Sequence, residues 1–193
     1  MRISGGTARG ILLDVPQKGE VRPATDFSRE RIFNQISSHI NHTIVWDCFA
    51  GTGAYGLEAL SRGAKKCLFF EKDPQVIRCL RKNSEKVCKS AQLNFQLSVQ
   101  IFNLDVFSLP MFQLEAPDYI FFDPPYRFWE EYSQNIFDFF DKINPLFPQT
   151  QLVIEYPAQL SWPQTFLWKP LYSIKSTRKI NAPLVNLFVF NPS

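Results

Sequence analysis

The stretch DYIFFDPPYRFW, residues 118–129, combines residue types that could carry chemistry, because an apolar run ends in Asp123, two prolines and Tyr126. Prolines fix the backbone and have no N–H group, so carbonyl oxygens are the main-chain hydrogen-bonding atoms that remain there. The Asp123 carboxylate and the Pro124 carbonyl therefore form an edge that only accepts hydrogen bonds. Such an edge suits an amine, which presents N–H donors.

The same residues could activate the exocyclic amine of a base, a poor nucleophile because its lone pair is delocalised into the ring. If Asp123 and the Pro124 carbonyl each accept one N–H bond, the nitrogen can pyramidalise and direct its lone pair at a methyl group. The carboxylate would also stabilise the positive charge that develops on the nitrogen during in-line transfer. Tyr126 would stack on the base, a contact worth about 1–3 kcal/mol. The alternative interpretation is a tight proline turn with a packing tyrosine.

A glycine-rich turn lies upstream in DCFAGTGAYG, where Gly51, Gly53 and Gly56 stand in G-x-G-x-x-G register after a predicted strand. Glu71 follows the first glycine by twenty residues, which completes the fingerprint of a dinucleotide-type fold. The glycines let the backbone turn tightly and approach a ligand, and the acid can accept hydrogen bonds from ribose hydroxyls. The sequence therefore predicts a nucleoside-containing cofactor at this turn.

Asp47 helps to choose between the two cofactor classes that share this fold. A strand that leads to a pyrophosphate normally keeps negative charge away, whereas Asp47 stands four residues before Gly51. S-adenosylmethionine (SAM) carries a sulfonium and an ammonium group, so Coulomb attraction favours SAM over NAD. Asp105, just past the third predicted core strand, could accept a hydrogen bond from the adenine amino group. A cap or a turn is the alternative role for both acids.

Periodicity predicts strands that alternate with helices from residue 43 onward. Strands are expected at residues 43–49, 66–70, 95–102, 119–122 and 151–156. Helices are expected at residues 54–62, 74–89 and 130–143. This order is typical of a mostly parallel sheet with helices on both faces. Two late strands, at 166–174 and 184–190, have no helix between them and predict an antiparallel hairpin at a sheet edge.

The first 42 residues are predicted as an appendage to the α/β core of residues 43–193. They contain a helix over residues 25–38 whose apolar side chains share one face, namely Ile32, Phe33, Ile36 and Ile40. A chain of 193 residues with 45% hydrophobic content is long enough to bury one substantial core. We therefore expect a single Rossmann-like domain.

Composition and charge narrow the compartment and the partners. The cysteines, Cys48, Cys67, Cys79 and Cys88, show no C-x-x-C spacing, so neither a zinc site nor a disulfide framework is expected, and a reducing cytoplasm is the natural compartment. The net charge is +3, with +2 in residues 1–31, +3 in residues 151–193 and −2 between them. Two basic flanks could steer a polyanion toward a central site, with ordinary solvated surface as the alternative.

Several segments together resemble the bacterial 16S rRNA (guanine(966)-N2)-methyltransferases, namely VWDCFAGTGAYGLEALSRGA and FFDPPY, preceded by ISGGTARG and RPATDFSRERIFN. The resemblance implies a class I SAM-dependent fold with a seven-stranded sheet and small-subunit rRNA as the partner. The cofactor contacts that it implies are Asp47, Phe49, Gly51, Gly53, Glu71, Asp105 and Val106. The guanine or RNA contacts that it implies are Asp123, Pro124, Pro125, Tyr126, Arg9, Arg22, Thr25 and Arg29. Helix capping is the alternative role for the residues near Thr25.

The leading hypothesis is methylation of a guanine exocyclic N2 amine in 16S rRNA by a monomeric, cytoplasmic enzyme that uses SAM and no metal. An adenine-N6 methyltransferase on DNA or RNA would use the same acceptor edge, and protein-amine or glutamine methylation is a further alternative. Cytosine-C5 methylation is disfavoured because the sequence has no Pro-Cys pair to supply a thiolate. Outside the methyltransferases, the alternatives are a catalytically silent RNA-binding module and a dehydrogenase.

Overall fold

The computed structural model of the protein describes residues 1–16, 25–164, 166–175 and 182–190. The strands in this part of the chain are β1 (Ile44–Cys48), β2 (Lys66–Glu71), β3 (Val99–Asn103), β4 (Tyr119–Phe122), β5 (Gln151–Tyr156), β6 (Trp168–Lys175) and β7 (Leu184–Phe190). The α-helices are α1 (Thr25–Gln35), α2 (Ala54–Ser61), α3 (Pro74–Ala91), α4 (Phe95–Ser98), α5 (Tyr126–Glu131) and α6 (Ser133–Leu146). Two short 3-10 helices follow β3, at Val106–Ser108 and Met111–Gln113.

The strands form one sheet with the order β3-β2-β1-β4-β5-β7-β6. Neighbours among β1 to β5 are parallel, whereas β7 pairs antiparallel with both β5 and β6. The order reverses between β1 and β4, which is the place where open α/β sheets bind ligands. This topology confirms the predicted α/β fold with a mostly parallel seven-stranded sheet and an antiparallel hairpin at one edge.

Both faces of the central strands are buried, which explains why these strands are continuous apolar runs rather than alternating ones. Successive side chains of a strand point to opposite faces, so Phe69 and Phe121 belong to one apolar cluster while Phe70 and Phe122 belong to the other. The first cluster includes Phe33 of α1, and it therefore joins the amino-terminal part of the chain to the sheet. The four apolar side chains predicted for this face, Ile32, Phe33, Ile36 and Ile40, are all buried. The helix is shorter than predicted, because α1 ends at Gln35 and Ile36 and Ile40 lie in the segment that follows it.

Residues 1–16 form a segment that docks on α2. Arg2 and Leu12 form an antiparallel bridge, and the side chains of Ile3 and Leu13 are buried. The segment is fixed to the core by polar contacts as well, such as those from Ser4 to the buried carboxylate of Glu58. Within the described ranges, no helix combines the length and apolar character needed to cross a membrane.

Two further element predictions differ from the structure. The alternation in residues 95–102 predicts one strand, but α4 occupies Phe95–Ser98 and β3 begins at Val99. The Asn94 side chain caps α4 by accepting a hydrogen bond from the Leu97 N–H at 3.3 Å. Residues 130–143 predict one helix, whereas α5 and α6 are separated at Tyr132, whose φ of −131° and ψ of 25° are not helical.

Candidate active site

A cavity of about 790 Å³ opens at the carboxyl ends of the parallel strands, where the strand order reverses. It is large enough for a cofactor together with part of a substrate, since ligand pockets typically measure about 300–1,000 Å³. Most of the residues proposed from the sequence line this cavity, namely Arg29, Asp47, Phe49, Gly51, Glu71, Asp105, Val106, Asp123, Pro124, Pro125 and Tyr126. The fold thus brings the glycine turn and the Asp-Pro-Pro-Tyr segment to one site.

Two acids hold the glycine turn between β1 and α2. The Asp47 carboxylate accepts a hydrogen bond from the Gly56 N–H at 2.8 Å, and the Glu71 carboxylate accepts one from the Gly51 N–H at 3.0 Å. Gly51 and Gly53 have φ values of 54° and 85°, in the left-handed region that glycine adopts at little cost. Both carboxylates line the cavity, and the hydrogen bonds that they accept order the backbone of the glycine turn and the start of α2.

Asp47 is an acid in an apolar setting, with only 3% of its surface exposed. Burial raises the pKa of Asp47 from 3.8 to about 8, because the charged form loses its hydration. The Gly56 N–H and the positive charge of Arg29 act in the opposite direction, whereas the negative charge of Glu71 adds to the rise. The carboxyl group is therefore mostly protonated at neutral pH, and a cation beside it would favour the ionised form.

Aromatic rings form one wall of the cavity. The Phe49 ring meets the rings of Phe107, Phe122 and Phe128 edge to face, with centroids 5.1–5.9 Å apart. The Lys72 ammonium lies 5.1 Å from the centroid of the Phe128 ring. Such a wall offers a flat apolar surface to a purine or a similar ring, with a positive charge at its rim.

Asp105 stands where β3 gives way to the first 3-10 helix. Its carboxylate accepts a hydrogen bond from the Phe107 N–H at 3.0 Å, and a second oxygen lies 3.7 Å from the Lys72 ammonium. The side chain also lines the cavity, as does Val106. These contacts are those of a turn-forming aspartate whose carboxylate remains at the edge of the ligand crevice.

The Asp-Pro-Pro-Tyr segment follows β4 directly. Asp123, Pro124 and Pro125 connect β4 to α5, and Tyr126 is the first residue of this helix. The Tyr126 hydroxyl donates a hydrogen bond to the Glu155 carboxylate of β5, with 3.1 Å between the oxygens. The acceptor-only edge and the tyrosine ring thus line the same cavity as the glycine turn.

Tyr55 and Glu155 also belong to this region, although no sequence pattern above identifies them. The Tyr55 ring stacks on Phe121, with centroids 5.2 Å apart, and it lines the cavity. Burial raises the pKa of the Tyr55 hydroxyl strongly, and the negative charges of Glu155 and Asp123 add to this rise. A signal for Glu155 exists in the sequence, because it is an acid near the end of an apolar strand in the same way as Asp47.

Arg29 is fully buried, although it is proposed from the sequence as an RNA contact. Its guanidinium donates to the Arg2 carbonyl at 2.7 Å and lies 3.7 Å from the Glu58 carboxylate. It also lines the cavity, and its positive charge acts to lower the pKa of Asp47. In this structure Arg29 joins the amino-terminal segment, α2 and the cavity wall.

The other residues proposed from the sequence either do not line the cavity or lie outside the described residues. Gly53 stands at the amino end of α2, where it shapes the turn. Arg9 is exposed on the segment of residues 1–16. Arg22 lies outside the described residues, and so does the side chain of Thr25. Contacts of these residues with a cofactor or with RNA stay predictions. Among the described residues, no group of three or more potential metal ligands occurs.

Comparison with known proteins identifies the family. The family model named Conserved hypothetical protein 95 matches residues 1–182. The chain belongs to this family. The solved structure described as "Putative methyltransferase yhhF from Escherichia coli" superposes with a TM-score of 0.76 and 26% identity, over 100% of this chain and 99% of that chain. This structural likeness confirms the fold that the sequence predicts. The family model, together with the curated relatives that follow, confirms the predicted family.

Two curated proteins that carry the same name are similar to this chain. The Ribosomal RNA small subunit methyltransferase D of Haemophilus influenzae is 37% identical over 129 residues, which are 66% of this chain and 65% of that protein. The protein of the same name from Escherichia coli K12 is 36% identical over 127 residues, which are 66% of this chain and 61% of that protein. The matched part therefore spans less than two thirds of the length of either relative.

Proposed function

We propose that this protein transfers a methyl group from SAM to the exocyclic amine of an unstacked base in the rRNA of the small ribosomal subunit, with guanine N2 as the expected target. The observation that carries this proposal is that a buried acid, Asp47, and an acceptor-only edge at Asp123 and Pro124 line one cavity. The acid suits a cationic methyl donor, and the edge suits an amine. The names of the similar curated proteins support rRNA as the substrate.

The residues at the glycine turn fit SAM in charge and in hydrogen-bonding type. Asp47 bears a desolvation cost that a neighbouring cation would offset, as its raised pKa of about 8 indicates. Glu71 would hold ribose hydroxyls, and Asp105 would accept a hydrogen bond from the adenine amino group. SAM, when bound, supplies an electrophilic methyl group on a sulfonium. Phe49 and Phe128, which both line the cavity, would pack against the flat part of the cofactor.

On the substrate side, the chain's own groups orient the amine and remove its proton. Asp123 and the Pro124 carbonyl would each accept one N–H bond, which frees the nitrogen lone pair from the ring. The Asp123 carboxylate would then stabilise the positive charge on the nitrogen and take up the proton that it loses. Tyr126 would stack on the base and hold its plane.

A base inside an RNA helix cannot reach this cavity, so the target must be single-stranded or flipped out of its stack. The acceptor edge recognises an amine and not the ring that bears it. An adenine N6 amine therefore fits the same edge, and the identity of the methylated nucleotide distinguishes the two targets.

The test is incubation of the purified chain with radiolabelled SAM and small ribosomal subunits, or their RNA, from a strain that lacks the activity. We expect label in rRNA, and digestion to nucleosides should place it on N2-methylguanosine. Label on N6-methyladenosine would replace guanine by adenine as the target. Label in DNA or protein alone would contradict the proposed rRNA substrate.

Asp123→Ala tests the role of the acceptor edge in the same assay. We expect kcat to fall by about 100-fold or more, since removal of a single group that stabilises charge in a transition state costs about 10²–10³. SAM affinity, measured by calorimetry, should stay within about threefold of the wild-type value, because Asp123 contacts the amine and not the donor. The matched control is Asp138→Ala, an exposed aspartate of α6. Wild-type turnover in Asp123→Ala would reject the role assigned to this residue.

A further inference from the structure

Glu155 occupies a fixed place beside the proposed substrate edge. It lies in β5, which is paired with β4 on one side and with β7 on the other, and only 2% of its surface is exposed. Phe122 of β4 is in register with Ile154 of β5, so the residues that follow them, Asp123 and Glu155, occupy neighbouring positions along the two parallel strands. Both acids therefore lie near the carboxyl edge of the sheet.

The Tyr126 ring, by contrast, stands on a short element. Helix α5 has only six residues, and its N-cap residue is Pro125, whose side chain has no polar group that could cap the helix. The Tyr126 hydroxyl links the ring to the sheet by a hydrogen bond of 3.1 Å to the Glu155 carboxylate. A ring tethered at its hydroxyl has lost rotamer freedom before the substrate arrives, so less entropy is lost when a base stacks on it.

We propose that Glu155 is a positioning residue, which holds the Tyr126 ring in the orientation that stacks the target base against the Asp123 edge. The inference rests on the proposed function, because it assigns the ring to an incoming base. It adds a residue that does not line the cavity and that acts on the base through Tyr126. The same geometry applies to guanine and to adenine, since stacking does not depend on the base.

The kinetic test compares three variants under saturating SAM. Tyr126→Phe keeps the stacking ring and removes the tether, and we expect kcat and kcat/KM for RNA to fall together by about tenfold, as for one lost hydrogen bond. Glu155→Gln keeps the shape and still accepts a hydrogen bond, so a smaller fall of about threefold is expected. In the double variant kcat should fall about tenfold and not thirtyfold, because the acceptor has no effect once the tyrosine hydroxyl is removed.

The controls separate positioning from a general loss of structure. Tyr132→Phe removes the hydroxyl of an exposed tyrosine next to α5 and should stay within twofold of the wild type. SAM affinity should be unchanged in all variants, and KM for RNA should change less than twofold, since phosphate contacts dominate RNA affinity. Wild-type kcat in Tyr126→Phe, or a double variant whose loss is the product of the single losses, would overturn the proposal.

A readout without turnover distinguishes failure of the tether from failure of the proposed function. In protein with ¹³Cζ-labelled tyrosine, the Tyr126 resonance is assigned by its disappearance in Tyr126→Phe. We expect it to shift in Glu155→Gln while the Tyr132 resonance does not. An unshifted Tyr126 resonance would overturn the tether. If the resonance shifts in Glu155→Gln but the wild-type protein labels no nucleic acid, the tether stands, and the proposed function is rejected together with the stacking role.

Discussion

Asp47 shows how a single residue can make protonation within the cavity depend on the charge of a ligand. Its carboxylate accepts a hydrogen bond from the Gly56 N–H in the first turn of α2, and its side chain is almost completely buried. The folded protein therefore binds a proton at Asp47 at neutral pH, when the unfolded chain does not. A cationic ligand would reverse this preference, which is why a buried acid at this place fits SAM better than a dinucleotide.

The raised pKa of Asp47 predicts how stability depends on pH. Because the pKa is about 8 in the folded state and its ordinary value is 3.8, the contribution of Asp47 is fully present below pH 4 and is lost as pH rises through 8. Asn cannot lose a proton, so Asp47→Asn should match the wild-type Tm near pH 4 and exceed it by several degrees by pH 8. Calorimetry without ligand measures the difference, with Asp138→Asn as an exposed control. A difference that does not change with pH would contradict the prediction.

At the residue scale, the sequence identifies the groups whose type and spacing are unusual. Asp47 interrupts an apolar strand, and Glu71 has a fixed spacing from Gly51, so both are visible without a structure. Tyr55 is not, because its place at the cavity depends on how α2 packs on the sheet, where its ring meets Phe121 of β4. No pattern within one element contains that information.

At the scale of elements, the packing of α2 on β2 depends on a glycine. A Cβ atom at Gly56 would lie 2.4 Å from the Cys67 sulfur and 2.4 Å from the Phe69 ring, both on β2. At Gly51 the nearest atom to an added Cβ would be the Phe49 carbonyl oxygen at 3.9 Å, so that site has space but a φ of +54°. The third glycine of the pattern thus serves close helix–strand packing, and the first serves the turn.

The two glycines should therefore respond differently to alanine. Gly56→Ala must displace α2 from β2, and we expect a loss of about 2–3 kcal/mol in the free energy of unfolding, as for other overpacked cores. Gly51→Ala should lose only about 1 kcal/mol, the cost of a left-handed backbone for a residue with a Cβ atom. Urea denaturation of both variants measures the contrast. Equal losses would show that the contact with Cys67 and Phe69 does not limit the approach of the helix.

The sequence predicts an element well where a single pattern applies to it. The prediction is wrong where two patterns overlap in the same segment. β4, β5 and β7 have the bounds expected, because continuous apolar runs can be buried only in the middle of a covered sheet. Residues 95–102 contain two signals in succession. The alternation predicts a strand throughout, but the Asn94 cap stabilises a helical turn first, and Leu97 is left exposed.

At the scale of the whole molecule, the amino-terminal segment completes the cavity. Met1 and Pro16 line it, although the glycine turn and the substrate edge belong to residues far along the chain. The segment is held by the Glu58 carboxylate of α2, which is fully buried and accepts hydrogen bonds from Ser4. The part of the cavity wall that Met1 and Pro16 form therefore depends on the buried contact between Ser4 and Glu58.

Glu58 faces two guanidinium groups, with Arg62 at 2.8 Å and Arg29 at 3.7 Å. Glu58→Gln keeps the shape but removes the negative charge, so we expect a loss of about 3 kcal/mol in stability, because buried cations then lack a counter-charge. The segment should also open more often, and trypsin should cleave faster after Arg9. SAM affinity should fall as the segment opens, because Met1 and Pro16 then no longer close the cavity.

Lys86→Ala is the matched control for this prediction. The Lys86 ammonium also binds the amino-terminal segment, at 2.6 Å from the Asp14 carboxylate, but the two side chains are 43% and 50% exposed. Exposed pairs contribute at most about 1 kcal/mol, so stability, cleavage after Arg9 and SAM affinity should stay close to wild type. If Lys86→Ala opened the segment as much as Glu58→Gln, the exposed contact would hold it as firmly as the buried cluster does. If neither variant changed SAM affinity, the segment would cover the cavity without contributing to the binding of the cofactor.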